Sequence, residues 1–166
     1  MATSATTTTK TTTTATSTRA TKPELIVELL HEDLQLPTKA TEKASCYDVY
    51  LPESVVIPPV SLCTSVVIPL GFKLDIPKGY EVFLHLRSSV GRDNAIMLSN
   101  IKGIVDEDYT DEVQAFVRNV GKQEIRFAKG QRLFQMEMRK KEIYTIKAGT
   151  VDKTTTRTGK SGSTGK

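Results

Sequence analysis

The sequence predicts an all-β fold, a distorted antiparallel barrel or jelly roll with little helix. Three observations lead there. The apolar residues fall in short runs, turn-forming residues separate those runs, and no segment sustains apolar residues at helical spacing. In chain order the strand-like runs are Leu25 to Val27, Ser54 to Ile57, Ser65 to Leu70, Tyr80 to Leu86, Ala95 to Leu98, Val113 to Asn119 and Arg132 to Met138. Pro58-Pro59, Pro77-Lys78-Gly79, Val120-Gly121 and Lys129-Gly130 punctuate them, because proline fixes φ and glycine admits left-handed turns. Strict alternation is clear in Gln114 to Arg118 and only partial in Glu81 to Leu86.

The chain has 166 residues, 38% of them hydrophobic, enough for one core and short for two. That domain is expected over residues 23–148. Residues 1–22 hold 12 threonines and almost nothing apolar, and read as a disordered tail, with organelle targeting left open by the absence of acids. Residues 149–166 are rich in Gly, Ser and Thr and read as a flexible arm.

Net charge is +4, but it sits at the ends. Lys10, Arg19 and Lys22 stand in the first segment without an acid. Lys147, Lys153, Arg157, Lys160 and Lys166 face a lone Asp152 at the other end, so the domain between is acidic. This disfavours a nucleic-acid face and suits a cationic arm that meets a small polyanion. No apolar run is long enough for a membrane span, and an intracellular protein, cytoplasmic or nuclear, is expected. Cys46 and Cys63 read as reduced thiols, and His31 and His85 lack neighbours at zinc-ligand spacing.

The residues suited to chemistry cluster at Gly103 to Glu112. Asp106 precedes a turn among five carboxylates, with Glu107, Asp108, Asp111 and Glu112, and crowding of like charge favours a base with a raised pKa. A solvated acidic loop is the alternative on composition alone. A calcium loop fails, because Asp111 stands where glycine is needed and Val117 where the bidentate acid belongs. Gly159-Lys160-Ser161 is no phosphate loop either, since Thr154 occupies its first glycine position.

Five ordered stretches resemble the motifs of the trimeric dUTPase family: Ala44-Ser45-Cys46-Tyr47-Asp48-Val49, Arg87-Ser88-Ser89, Gly103-Ile104-Val105-Asp106-Glu107-Asp108-Tyr109, Gly130-Gln131-Arg132-Leu133-Phe134-Gln135 and Gly162-Ser163-Thr164-Gly165. Together they cover residues 24–166. The resemblance implies a homotrimer with exchanged C-terminal arms that hydrolyses dUTP to dUMP and pyrophosphate, with Mg²⁺ as cofactor. It makes Asp106 the base that activates the attacking water, and Tyr109 the ring that excludes a 2′-hydroxyl. Asn100, Ile104, Val105 and main chain near Gln114 would line a uracil-reading hairpin. Arg87, Ser88, Ser89 and Gln135 would bind the phosphates. Asp48 would reach, through water, a metal held mainly by the triphosphate. Arg157, Gly162, Ser163 and Thr164 would close over the substrate. The chain departs from the family at Ser161, where a stacking aromatic is expected, at the register of the arm arginine, which falls on Thr156 or Arg157, and at Asp111, where glycine is usual. A dCTP deaminase shares the fold but needs a Glu on the strand at Gln114 to Asn119, which has none. A non-catalytic adapter or signalling protein derived from this family is the other alternative.

Overall fold

The structure is a computed structural model that describes residues 22–62 and 64–151. The expected tail at 1–21, Cys63, and the arm residues Arg157, Gly162, Ser163 and Thr164 lie outside the described residues. Eleven strands and one short helix make up the order: β1 (Ile26–Leu29), β2 (Tyr47–Tyr50), β3 (Val55–Ile57), β4 (Val66–Pro69), β5 (Phe72–Asp75), β6 (Tyr80–Leu86), α1 (Ser88–Asp93), β7 (Ile96–Leu98), β8 (Gly103–Val105), β9 (Gln114–Asn119), β10 (Ile125–Phe127) and β11 (Arg132–Lys140). Every ladder is antiparallel. A four-stranded sheet runs β2-β11-β6-β8 and a three-stranded sheet runs β4-β9-β7, with the pairs β1-β5 and β10-β3 beside them. This is the jelly-roll β fold that the strand pattern predicts.

One apolar cluster joins the sheets, with Val49, Val82, Leu84, Phe134 and Met136 meeting Ile68, Leu98, Ala115 and Val117. Strand β9 shows the simple rule: Ala115, Val117 and Asn119 are buried, while Gln114 and Phe116 face out. Strand β6 breaks it, since Val82, Phe83 and Leu84 are all buried. Phe83 is covered on the outer face by cations, with Lys102 Nζ 3.4 Å from the ring centroid and the Arg139 guanidinium 5.6 Å away. The partial alternation of Glu81 to Leu86 has this cause.

The seven expected strands are present within a residue or two at their ends. Strands β2, β5, β8, β10 and the helix α1 were not anticipated. No helix among the described residues is long and apolar enough to cross a membrane.

Candidate active site

Two separate cavities gather the residues singled out by sequence. The first, of about 320 Å³, is lined by Asp48, Arg87, Ser88, Ser89 and Gln135, with Cys46 and neighbours at its edge. Asp48 lies in the middle of β2, its main chain bonded to Thr38 on one side and opposite Gln135 of β11 on the other. Although its neighbour Val49 points into the core, Asp48 is buried too, because two arginines cover it. Arg87 Nε lies 3.0 Å from Oδ1 and Arg132 Nη1 lies 3.1 Å from Oδ2. Arg87 caps α1, placing Ser88 and Ser89 in the first turn of that helix. Burial, then the nearby Glu137 carboxylate, push the Cys46 thiol up, so it stays protonated at neutral pH and gives the cavity no nucleophile.

The start of β11 is set by the turn before it. Gly130 takes a φ of +77°, and the Gln131 side chain accepts the Ala128 N–H at 2.6 Å to close the turn. The ladder with β2 then shifts register between Arg132 and Phe134. This bulge buries Leu133 and Phe134 in succession and leaves Arg132 and Gln135 unburied on the Asp48 side.

The second cavity, of about 170 Å³, is lined by Ile104, Val105, Tyr109, Val113, Gln114 and Phe116. It shares no residue with the first. Gly103 lets β8 approach β6 closely, since a Cβ there would meet the Leu84 Cβ at 3.0 Å. Strand β8 is an edge strand, paired only with β6, so its outer side offers main-chain N–H and C=O groups without ladder partners. Tyr109 is held at two points: its N–H donates to the Asp106 carbonyl at 3.1 Å and its hydroxyl to the Glu112 carbonyl at 3.0 Å. Asp106 follows Val105 directly and is exposed.

The acidic crowd around Asp106 resolves into separate roles. Glu107 accepts the Gly79 N–H at 2.6 Å and pairs with Lys141 at 3.0 Å, and these contacts hold its carboxyl below the ordinary range. Glu112 accepts the Gly71 N–H at 2.7 Å. Both brace neighbouring loops, which leaves Asp106, Asp108 and Asp111 facing solvent. Asp111 is not among the residues with positive φ, so the missing glycine leaves no strain.

The expected uracil hairpin takes a different form. Strand β7 pairs with β9 and β8 with β6, in different sheets, so the turn at residues 99–102 joins two sheets rather than closing a ladder. Asn100 stands exposed in that turn and is not on the wall of the cavity. Three residues with site positions had no role foreseen: Val113 and Phe116 in the second cavity, and Arg132 on Asp48. Phe116 alternates outward beside Gln114, which was a usable signal, whereas the bulge that turns Arg132 has none.

The residues do not fit a metal held directly by the protein. Among the described residues no three His, Cys, Asp or Glu side chains group to hold one, and each oxygen of Asp48 already accepts a guanidinium N–H.

A family model described as dUTPase matches residues 32–165. The deoxyuridine 5'-triphosphate nucleotidohydrolase of Hydrogenobaculum sp. (strain Y04AAS1) is 31% identical over 113 residues, covering 68% of this chain and 77% of that protein. That of Helicobacter pylori (strain J99) is 29% identical over 140 residues, covering 84% and 94%. Among solved structures, the Staphylococcus bacteriophage 80alpha dUTPase with dUpNHpp superposes with a TM-score of 0.72 at 20% identity, covering 82% of this chain and 94% of that one. A mutant dUTPase from phage phi11 of S. aureus, which coordinates a structural Mg(II) ion, gives 0.66 at 20% identity, covering 79% and 98%. With its family model matched across both cavities, this chain belongs to the dUTPase family.

Proposed function

We propose that the protein hydrolyses dUTP to dUMP and pyrophosphate, in sites shared between copies of a homotrimer. The observation that carries this reading is the division of one chain into two unconnected cavities, one suited to a base and sugar and one to a polyanion. A uracil lying against the free edge of β8 exchanges hydrogen bonds with main chain, as a further strand would. Cytosine reverses donor and acceptor on that edge and leaves buried groups unpaired, at roughly 1–3 kcal/mol each. Tyr109, held at its amide and hydroxyl, lies where a 2′-hydroxyl would clash. Asn100 reaches the base only if its turn closes over the substrate.

Asp106 takes a proton from a water whose oxygen attacks the α-phosphorus. The bond to the bridging oxygen breaks opposite, and pyrophosphate leaves with charge stabilised by Arg87, Ser88 and Ser89. Ser88 donates to the bridging oxygen, and Gln135 bonds a phosphate or the water. Mg²⁺ arrives on the triphosphate as part of the substrate, neutralising its oxygens, and Asp48 touches the hydrated ion only through water.

Asp48 and Ile104 stand on opposite edge strands of the four-stranded sheet, about 14 Å apart over three strand spacings. Bringing a phosphate cavity of one copy against a base cavity of the next is what a closed ring of identical contacts does. The segment after β11 favours this, since Ile143, Tyr144 and Ile146 are 88%, 77% and 89% exposed and need a surface outside their own domain. It would carry Arg157, Gly162, Ser163 and Thr164 to a neighbour's site.

Pyrophosphate release measured with dUTP, UTP, dCTP and dTTP at equal concentration tests the reading. Rapid release from dUTP alone, lost on chelating Mg²⁺, is expected. Comparable release from UTP would remove the role given to Tyr109, and release from none would favour the adapter alternative.

A further inference from the structure

Arg132 has no part in the activity as described so far, yet it makes one of the two ion pairs to the buried carboxylate of Asp48. We propose that Arg132 is a positioning residue for phosphate binding, acting through Asp48 to hold Arg87 in place and to keep it cationic toward the substrate. The inference rests on the phosphate reading of the cavity at Arg87, Ser88 and Gln135.

The geometry links the two arginines twice. Arg87 Nε and Arg132 Nη1 take opposite oxygens of Asp48, at 3.0 and 3.1 Å. Arg87 Nη1 also donates to the Arg132 carbonyl, at 3.2 Å. These contacts fix the plane of the Arg87 guanidinium and consume its Nε donor and one Nη1 donor, leaving the others for an anion. Arg132 itself does not line the cavity that holds Ser88 and Gln135, and instead backs Arg87 from the adjoining surface beside Gln131.

Charge gives the second half of the argument. A carboxylate paired with Arg87 alone would cancel the cation that the phosphates need, and would itself repel them from a buried position. Shared between two guanidinium groups, Asp48 leaves a net positive charge at the mouth of the cavity while still orienting Arg87. The bulge after Arg132 makes this sharing possible, by placing Arg132 and Gln135 on the Asp48 side of β11.

The test is a double-mutant cycle on the full chain, with kcat and KM for dUTP, the Kd of a non-hydrolysable α,β-imido analogue, and melting temperature for each variant. Arg132→Gln is expected to weaken analogue binding and lower kcat/KM by roughly 10–100-fold. Arg132→Lys, which keeps the charge, should recover part of that loss. In an Arg87→Gln background, Arg132→Gln should cost little more, because its effect passes through Arg87. Additive losses would overturn the inference, as would a fall in melting temperature with kinetics unchanged. Should Arg132→Gln not fold, Arg132→Lys carries the same cycle. A loss in Arg87→Gln with none in either Arg132 variant defeats this inference alone; indifference of all variants defeats the phosphate reading and the inference with it.

Discussion

Asp106 has no side-chain hydrogen bond or ion pair among the described residues, so nothing in the fold depends on its carboxylate. Its proposed role and its structural role therefore separate cleanly. Asp106→Asn should leave the melting temperature unchanged and lower kcat by about 10²–10⁴-fold, the range of a removed general base. Tyr109 sits in the opposite situation, since its hydroxyl ties the loop to Glu112. Tyr109→Ala should narrow the discrimination between dUTP and UTP by about tenfold or more, read as the ratio of their kcat/KM values. Buried Asn119 serves the fold only: its side chain donates to the carbonyls of Ile57 at 3.0 Å and Gln123 at 2.7 Å and accepts the Gly121 N–H at 2.9 Å. Asn119→Leu strands all three groups and should cost about 2–4 kcal/mol in denaturant unfolding, with the discrimination against UTP preserved.

At the scale of elements, the legible strands are those with one face in the core and one in water. The hidden ones have both faces covered or are very short. Strand β2 reads as polar because Asp48 sits at its centre, and only the two arginines make that burial tolerable. Strand β8 has three residues, and its edge position depends on a partner far away in sequence. Helix α1 has six residues and no side-chain cap, so neither periodicity nor a capping signal announces it. Motif residues were legible by likeness, and their distribution over two cavities was not, because sheet order is a property of long-range pairing. The loop between β8 and β9 carries a pH signature of its own. Glu107 is held below its ordinary range first by the Gly79 N–H and then by Lys141. In Glu137 burial opposes ionisation, but hydrogen bonds from Arg139 and His85 outweigh it and its carboxyl also stays low. A carboxyl lowered in the folded state adds stability that is fully present above about pH 4.3 and is lost as pH falls through the folded value. Melting temperature should accordingly drop as pH is taken below 4.3, and Glu107→Gln should be less stable at pH 7 while losing less on acidification.

At the scale of the molecule, the chain holds two half-sites and an apolar segment that its own domain does not cover. Each is unexplained in a monomer and accounted for in a ring. The acidic domain with basic ends fits the same picture, because a cationic arm delivered to a neighbour meets the triphosphate there. The most direct test mixes two inactive chains. Asp106→Asn disables the base cavity and Ser88→Ala the phosphate cavity, and equal amounts are unfolded together and refolded. If each site takes Asp106 from one copy and Ser88 from another, about one quarter of the sites in randomly mixed trimers combine two intact halves, and dUTP hydrolysis should return to that fraction of the wild-type rate. No return, in trimers whose mixed composition is confirmed by mass, would contradict the account by showing that Asp106 and Ser88 serve a site within one chain.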